Sequence, residues 1–343
     1  LEVFNLDVLV IGGSKFSGRE IIKILLEREH KVTVLNRGQS VKKLPDFYKP
    51  KEYQYPKDAT VLKADRTDKE EFTKTLEGKS FDAIVDTIAM NETDIQNVIE
   101  IAGDKLQNYV FISTAGVYDE NKLDFFPITE DVPIGSVTED YPIEYTRNKR
   151  KAEIKCKKSF KEFGFPVTII RPVFIYGPNN PMYRECYFFD RIKDEKPIYM
   201  PGNGDYINDF VHRKDVAWLA TIPLENKKAI GQTYNATGGA AITLNRYVKI
   251  LSEIVGKEAE VINYDPKILE KEELKPVTWN QMFPFFFHMH LFVSKEKAVK
   301  ELGYEPINFI EGIKETYEWY QENKHPDWKG EYSLDKKIAK ELK

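Results

Sequence analysis

The sequence predicts an α/β fold: a doubly wound parallel sheet with a smaller C-terminal mixed α/β lobe. Three observations carry that reading. Short, nearly uninterrupted runs rich in Val and Ile recur along the first half; helical-period segments separate them; and a glycine cluster joins the first run to the first helix. Leu6-Asp7-Val8-Leu9-Val10-Ile11 reads as a strand covered on both faces, ended by Gly12-Gly13. Residues 17–29 place Ile21, Ile22, Leu25 and Leu26 at helical spacing, and 32–35 form a second strand. Strand, glycine turn, helix and strand within about thirty residues make a right-handed βαβ unit.

The alternation continues with strands at 60–63, 83–87, 109–113 and 167–170. Between them lie helices at 68–77, 93–102 and 143–163, the last long and basic. Such repetition implies an open, doubly wound sheet. Residues 39–57, rich in proline and tyrosine, read as an irregular excursion. Beyond Pro172 the texture changes: prolines and glycines cluster over 177–204, then come a helix, a short strand at 232–235, and helices starting at Leu244 and Lys295. The expected division is a dinucleotide-binding domain over 1–175 and a lobe over 176–330, mainly substrate-binding, with some segments returning to the first sheet. A solvated Lys-rich tail follows over 331–343.

Composition narrows the function classes. With 343 residues, 41% hydrophobic and 13% aromatic, the chain has material for a large core. Fifty-one Lys and Arg against 55 acids give a net charge of -4, which argues against a dedicated nucleic-acid coat or a cationic membrane binder. No apolar run approaches the ~20 residues of a membrane span. Two cysteines, Cys156 and Cys186, build neither a disulfide framework nor a metal set, and a reducing cytoplasm is the expected compartment. The first residues lack the basic and apolar regions of a signal peptide.

Gly12-Gly13-Ser14-Lys15-Phe16-Ser17-Gly18 sits in the strand-to-helix context of a Rossmann-type dinucleotide site. There, glycines let the backbone approach a pyrophosphate and helix-terminal amides receive its charge. Lys15 stands where a middle glycine is expected, either contacting phosphate or pointing to solvent. The second strand ends in Asn36-Arg37-Gly38, without the acid that would bind both ribose hydroxyls of NAD. Arg37 offers a guanidinium suited to phosphate, so NADP is preferred over NAD. Asp65 reads as an acceptor for the adenine amino group with Arg66 stacking on that ring, or both are solvated loop charges.

Tyr145 and Lys149 are four apart on the long helix and share one face. A phenol is a poor base at neutral pH; an ammonium one turn away is expected to lower its pKa and to bind a cofactor ribose. Ser113-Thr114-Ala115-Gly116-Val117-Tyr118 leaves the carboxyl edge of a strand, where Thr114 supplies a third polar contact to a substrate oxygen.

These motifs, with Tyr145-Thr146-Arg147-Asn148-Lys149-Arg150, Arg171-Pro172-Val173-Phe174-Ile175-Tyr176-Gly177-Pro178 and Asn208-Asp209-Phe210-Val211-His212-Arg213-Lys214-Asp215, resemble the short-chain dehydrogenase/reductase superfamily. The branch is the extended or atypical NAD-dependent epimerase/dehydratase family, and the likeness runs from Val8 to about Trp319. It implies Tyr145 as acid/base, Lys149 as its activator and ribose ligand, and Thr114 as the substrate's hydroxyl partner. It places Pro172, Val173 and Phe174 beside the nicotinamide, Ile88 and Ala89 beside the diphosphate and ribose, and residues 179–212 around a sugar or nucleotide. The implied activity is oxidation, epimerisation or dehydration of a sugar, expected to be nucleotide-linked, in a homodimer joined through the long helices. Lys15 brings the chain closer to the atypical branch, which includes chloroplast stem-loop RNA-binding proteins. The rival reading is therefore a non-catalytic, dinucleotide-bound regulator or RNA-binding protein on the same scaffold.

Other candidates read as structural. His212 is expected to serve as a hydrogen-bonding residue beside a helix start. His288 and His290 lack the partners of a metal site, and 283–287 is an aromatic cluster suited to a core or subunit contact. Cys156 has basic neighbours but no partners for a nucleophile. The eight basic residues over 147–161 are interleaved with acids and form a solvated face.

Overall fold

The computed structural model describes residues 5–38, 46–49 and 54–343. From β1 (Asp7–Ile11) the chain runs through α1 (Phe16–Glu27), β2 (Lys31–Asn36), β3 (Thr60–Lys63), α2 (Lys69–Leu76), β4 (Ala83–Asp86), α3 (Glu92–Ile101), β5 (Asn108–Ile112), α4 (Glu144–Phe163) and β6 (Val167–Pro172). The apolar runs are continuous because successive side chains enter different cores. Val8 and Val10 of β1 point to one face of the sheet, where α1 supplies Ile21, Ile22 and Leu25. Leu9 and Ile11 point to the other, against Phe72 of α2, Ile95 and Val98 of α3, and Ala152 and Cys156 of α4.

The second half comprises β7 (Phe174–Tyr176), α5 (Glu185–Lys193), β8 (Ile198–Pro201), β9 (Ile207–Asn208), β10 (Phe210–His212), α6 (Arg213–Thr221), β11 (Thr233–Ala236), β12 (Ile242–Thr243), α7 (Leu244–Val255), β13 (Val261–Tyr264), α8 (Glu296–Leu302), α9 (Phe309–Asn323) and α10 (Ser333–Glu341). Among the described residues the main sheet has seven strands, all parallel, in the order β11-β6-β5-β4-β1-β2-β3. Its winding reverses between β1 and β4, so the loops leaving those two strands diverge and leave a crevice at the carboxyl edge.

The strand expected at 232–235 is β11, the outer strand beyond β6, and α6 packs Val216, Leu219 and Ala220 into the core that α1 also covers, so segments of the second half do return to the first sheet. Both belong to the first unit although they follow residue 175. Residues 177–204, where the sequence shows a cluster of prolines and glycines and no helix is expected, contain α5: those flanks hid a helix whose Tyr187, Phe188, Phe189 and Ile192 fill the second core with Tyr247, Phe285 and Ile313. The expected tail at 331–343 contains α10, which buries Leu334 and Ile338 against Tyr199 and Tyr264 and pairs Asp335 with Arg191 at 2.8 Å. Spacing of one helical turn makes that pair an apolar stripe among lysines. Of the excursion at 39–57, residues 39–45 and 50–53 lie outside the described residues. Phe47 and Tyr48 are buried in the second core, their rings near Tyr183 and Trp319 respectively.

One charged contact ties α4 to the sheet. Glu153 is fully buried and accepts from Arg171 of β6 through Nε at 2.9 Å and Nη2 at 2.6 Å, while Ser113 donates its hydroxyl at 2.6 Å. Removing one partner strands the other charge in a dry interior. Glu153→Gln is therefore expected to lower unfolding free energy by about 3 kcal/mol or more, read as a shifted urea midpoint at unchanged m-value. The double substitution to Met should recover much of that loss. An unshifted midpoint in the single variant would show that the pair does not hold α4.

Candidate active site

The glycine loop is built by close approach. Gly12 (φ +104°) and Gly13 (φ +80°) occupy the left-handed side of backbone space. A Cβ on Gly12 would stand 2.2 Å from Thr87 Oγ1 and 3.0 Å from Ile88 Cγ2, so this loop and the one after β4 meet across the crevice. A Cβ on Gly18 would meet Gly13 Cα at 2.7 Å, which presses the first turn of α1 against the loop. Ser14 is buried, Phe16 also has positive φ (47°), and Lys15 occupies the N-cap position of α1. Burial, followed by the charges of Arg19 and Arg37, lowers the Lys15 pKa. Three cations therefore share the mouth of the loop.

Asn36 is buried and holds the turn after β2: its Oδ1 accepts the Gly38 amide at 2.6 Å and its Nδ2 donates to Tyr55 at 3.0 Å. This presents Arg37, whose side chain is 59% exposed with Nη1 at 3.6 Å from Asp65. Asp65 spends its other oxygen on the Thr67 amide and hydroxyl, contacts that, with Arg37, hold its carboxyl below the ordinary range.

Arg66 is not available to a purine ring. It is 5% exposed, with Nη1 donating to both Asp86 oxygens at 2.7 Å and Nε to Asp94 at 3.1 Å. Its role is to neutralise a carboxylate under the crevice. Two distant acids claim the side chain, and nothing in the local sequence reveals them.

Ala89 is buried and Ile88 exposed, and Asp86 Oδ1 receives both their amides, at 2.8 and 3.1 Å. The Lys149 ammonium lies inside, donating at 2.7 Å to the carbonyls of Ala89 and of Ile112 at the end of β5. Burial pushes its pKa down to about 8. At the first turn of α4, Tyr145 is 46% exposed as a residue, while its phenol oxygen is subject to desolvation. That desolvation raises its pKa, while a hydrogen bond with Thr114 and the charge of Arg184 draw it back. The expected lowering of the Tyr145 pKa by Lys149 is thus not found: desolvation of the phenol dominates, and the ammonium is turned onto two backbone carbonyls. Thr114 Oγ1 also accepts the Gly116 amide at 3.2 Å, and Ser113 is committed to Glu153. Arg150 secures the hydroxyl loop, donating to the carbonyls of Val117, Tyr118 and Ser136. Pro172 ends β6, and Val173 is buried with its amide on Ala236 O at 3.1 Å.

His212 caps α6, its Nδ1 accepting the Lys214 amide at 3.4 Å, and burial keeps the ring from protonating. Residue-by-residue reading missed Arg184, whose charge is felt at Tyr145, and the Glu185–Asn180 pair next to it. Only the placement of 179–212 near a substrate pointed there.

The matching family model, described as the NAD dependent epimerase/dehydratase family, covers residues 8–237. The chain belongs to this family. Its members are NAD-dependent epimerases and dehydratases of the short-chain dehydrogenase/reductase type. The chain is 30% identical to the chloroplast stem-loop binding protein of 41 kDa b of Arabidopsis thaliana over 90% of its own length and 78% of that protein. It is 29% identical to UDP-glucuronate 4-epimerase of Thermodesulfobacterium geofontis over 68% and 65% of the two chains. Among solved structures, UDP-N-acetylglucosamine 4-epimerase from Methanobrevibacter ruminantium matches with a TM-score of 0.72 at 19% identity, covering 93% of this chain and 99% of that one. That last likeness is one of fold. Among the described residues no helix is long and apolar enough to cross a membrane.

The burial of Lys149 has a measurable signature. Its folded pKa of about 8 lies below the ordinary 10.5, so folding expels a proton between those values. The lysine's unfavourable contribution is full below pH 8 and fades as pH rises toward 10.5. Relative to Lys149→Met, the wild type is expected to gain about 2 kcal/mol of unfolding free energy between pH 7.5 and 9.5. Parallel urea titrations of the two proteins would reveal a parallel pH dependence instead if Lys149 titrates normally.

Proposed function

We propose that this protein is an NADP-preferring oxidoreductase, epimerase or dehydratase that acts on a sugar hydroxyl, with a nucleotide-linked sugar as substrate. The observation that carries the reading is the convergence of Thr114, Tyr145 and Lys149 on the end of β5, beside the crevice where the winding reverses. A dinucleotide fits this crevice: Gly12 and Gly13 form a cradle that any Cβ would fill, and Lys15, Arg19 and Arg37 supply positive charge at its mouth. Arg37 suits a 2′-phosphate, and no acid ends β2 to repel one. In this reading Gly12, Gly13, Ser14, Lys15, Phe16 and Gly18 hold the diphosphate with Ile88 and Ala89. Asn36, Arg37 and Asp65 surround the adenosine, Lys149 meets the ribose, and Pro172 and Val173 flank the nicotinamide.

A nicotinamide bound here would supply the hydride acceptor for the carbinol carbon, or the donor in the reverse direction. Thr114 orients the substrate hydroxyl. Tyr145 takes the hydroxyl proton as the C–O bond becomes a carbonyl, or donates it back in reverse. With its pKa raised, the phenol is protonated at neutral pH and suited to donation. Oxidation needs the phenolate, so its rate should climb with pH while reduction falls. A keto product that leaves gives oxidation; one that is reduced on its other face gives an epimer; intervening elimination gives dehydration.

A second reading draws on the similarity to the stem-loop binding protein: a dinucleotide-bound, non-catalytic RNA binder. The basic face of α4 gives it little support, since Lys151 pairs with Glu139 at 2.9 Å and Lys158 with Glu162 at 3.8 Å. Tyr145→Phe separates the two. It should cut turnover of a sugar nucleotide by about a hundred- to ten-thousand-fold with dinucleotide affinity retained. Salt-sensitive RNA binding without any turnover in the wild type would favour the rival. For the cofactor, Arg37→Ala should weaken NADP⁺ by about tenfold and leave NAD⁺ unchanged in calorimetric titrations. Tighter binding of NAD⁺ to the wild type would refute the preference.

A further inference from the structure

Arg184 stands at the N-cap position of α5, its guanidinium carbon 5.1 Å from the centre of the Phe174 ring. Its protein acceptor is the Ile175 carbonyl, at 3.5 Å on the outer edge of hydrogen bonding. The buried arginines Arg171, Arg191 and Arg213 are matched by Glu153, Asp335 and Glu20 respectively, and Arg184 is half-buried. Among the described residues no carboxylate forms such a pair with Arg184. The acid that acts on it from a distance is Glu185, whose pKa burial pushes up to about 7 and whose Oε2 is taken by Asn180 Nδ2 at 2.9 Å. Near neutral pH that acid is only partly ionised, so it offsets little of the guanidinium's charge. Desolvation lowers the Arg184 pKa, yet the residue is only half-buried: its guanidinium lacks a carboxylate partner and is still within reach of the solvent side.

Its position gives that imbalance a direction. Phe174 follows Pro172 and Val173 along the chain, and the Arg184 charge is felt at the Tyr145 phenol. A guanidinium presents a planar fork matched to two oxygens of a carboxylate or phosphate. We propose that Arg184 anchors an anionic group carried by the sugar itself, a carboxylate or a phosphate ester, beside the Tyr145 hydroxyl, so that the protein selects acidic sugars. This rests on the sugar-hydroxyl reading above. The anchored anion fixes one end of the ring and leaves a neighbouring hydroxyl to Thr114 and Tyr145.

Calorimetric titrations of the dinucleotide-saturated protein with UDP-glucuronate, UDP-glucose, glucuronate and glucose 6-phosphate test this. The first two differ at the sugar only by a carboxylate in place of a hydroxymethyl group. UDP-glucuronate should bind about ten- to a hundredfold tighter, and Arg184→Met should erase that margin while leaving UDP-glucose and dinucleotide affinities within about twofold. Arg184→Lys should restore part of it, and the dinucleotide affinity of each variant reports that the fold is intact. Preference for glucuronate over glucose 6-phosphate, or the reverse, identifies a carboxylate or a phosphate as the anchored group. Equal binding of UDP-glucuronate and UDP-glucose, or a margin that survives Arg184→Met, overturns the assignment and leaves the sugar reading standing. If no sugar binds while the dinucleotide does, both readings fall.

Discussion

The Asp86 carboxylate, completely buried at the end of β4, organises the crevice on which the proposed chemistry rests. It receives both Nη1 contacts of Arg66, the Tyr109 hydroxyl at 3.1 Å, and the amides of Ile88 and Ala89. A buried anion persists only when its lone pairs are met this fully. With the amides of 88 and 89 pulled onto Asp86, the Ala89 carbonyl is left to receive Lys149, and Thr87 and Ile88 are brought against Gly12. One carboxylate thus sets the wall of the dinucleotide crevice and the seat of the helix lysine together. Displacement of that loop would be felt at both.

A second buried acid completes the frame. Glu153 lies one turn beyond Lys149 on α4 and joins that helix to Arg171 of β6 and to Ser113 at the end of β5. Between the two carboxylates, the first turns of α4 and the hydroxyl loop have little freedom to shift. Arg150 removes more by clamping three carbonyls of that loop and its continuation. The polar groups facing the crevice are therefore set by contacts that face away from it, an arrangement suited to a site whose side chains must hold their positions.

The layered sheet was legible because it obeys local rules. Strands buried on both faces are apolar nearly throughout, and Val8 to Ile11, or Val167 to Ile170 with its single Thr168, carry that signature. The glycine loop and the Tyr145–Lys149 spacing were equally local. What escaped depends on partners far away in sequence. Arg66 reads as a ligand of the adenine ring or a solvated loop charge because the acids that consume it lie 20 and 28 residues on. Lys149 looked like an activator of Tyr145 because nothing in its own helix announces the carbonyls of Ala89 and Ile112. The α5 helix was masked by the breakers around it, and α10 by the lysines between Leu334 and Ile338.

The return of β11 and α6 to the first unit bears on how the two lobes relate. Severing the chain near residue 175 would strip β6 of its outer neighbour and uncover the apolar side of α1 that Val216 and Leu219 protect. The amino-terminal piece would then present an unpaired parallel edge and an oily face, the two features that drive chains to aggregate. The nucleotide half is a continuous object in space but not along the chain. Its integrity depends on residues made only after most of α5 and its surroundings have been synthesised, so the two halves must mature as one.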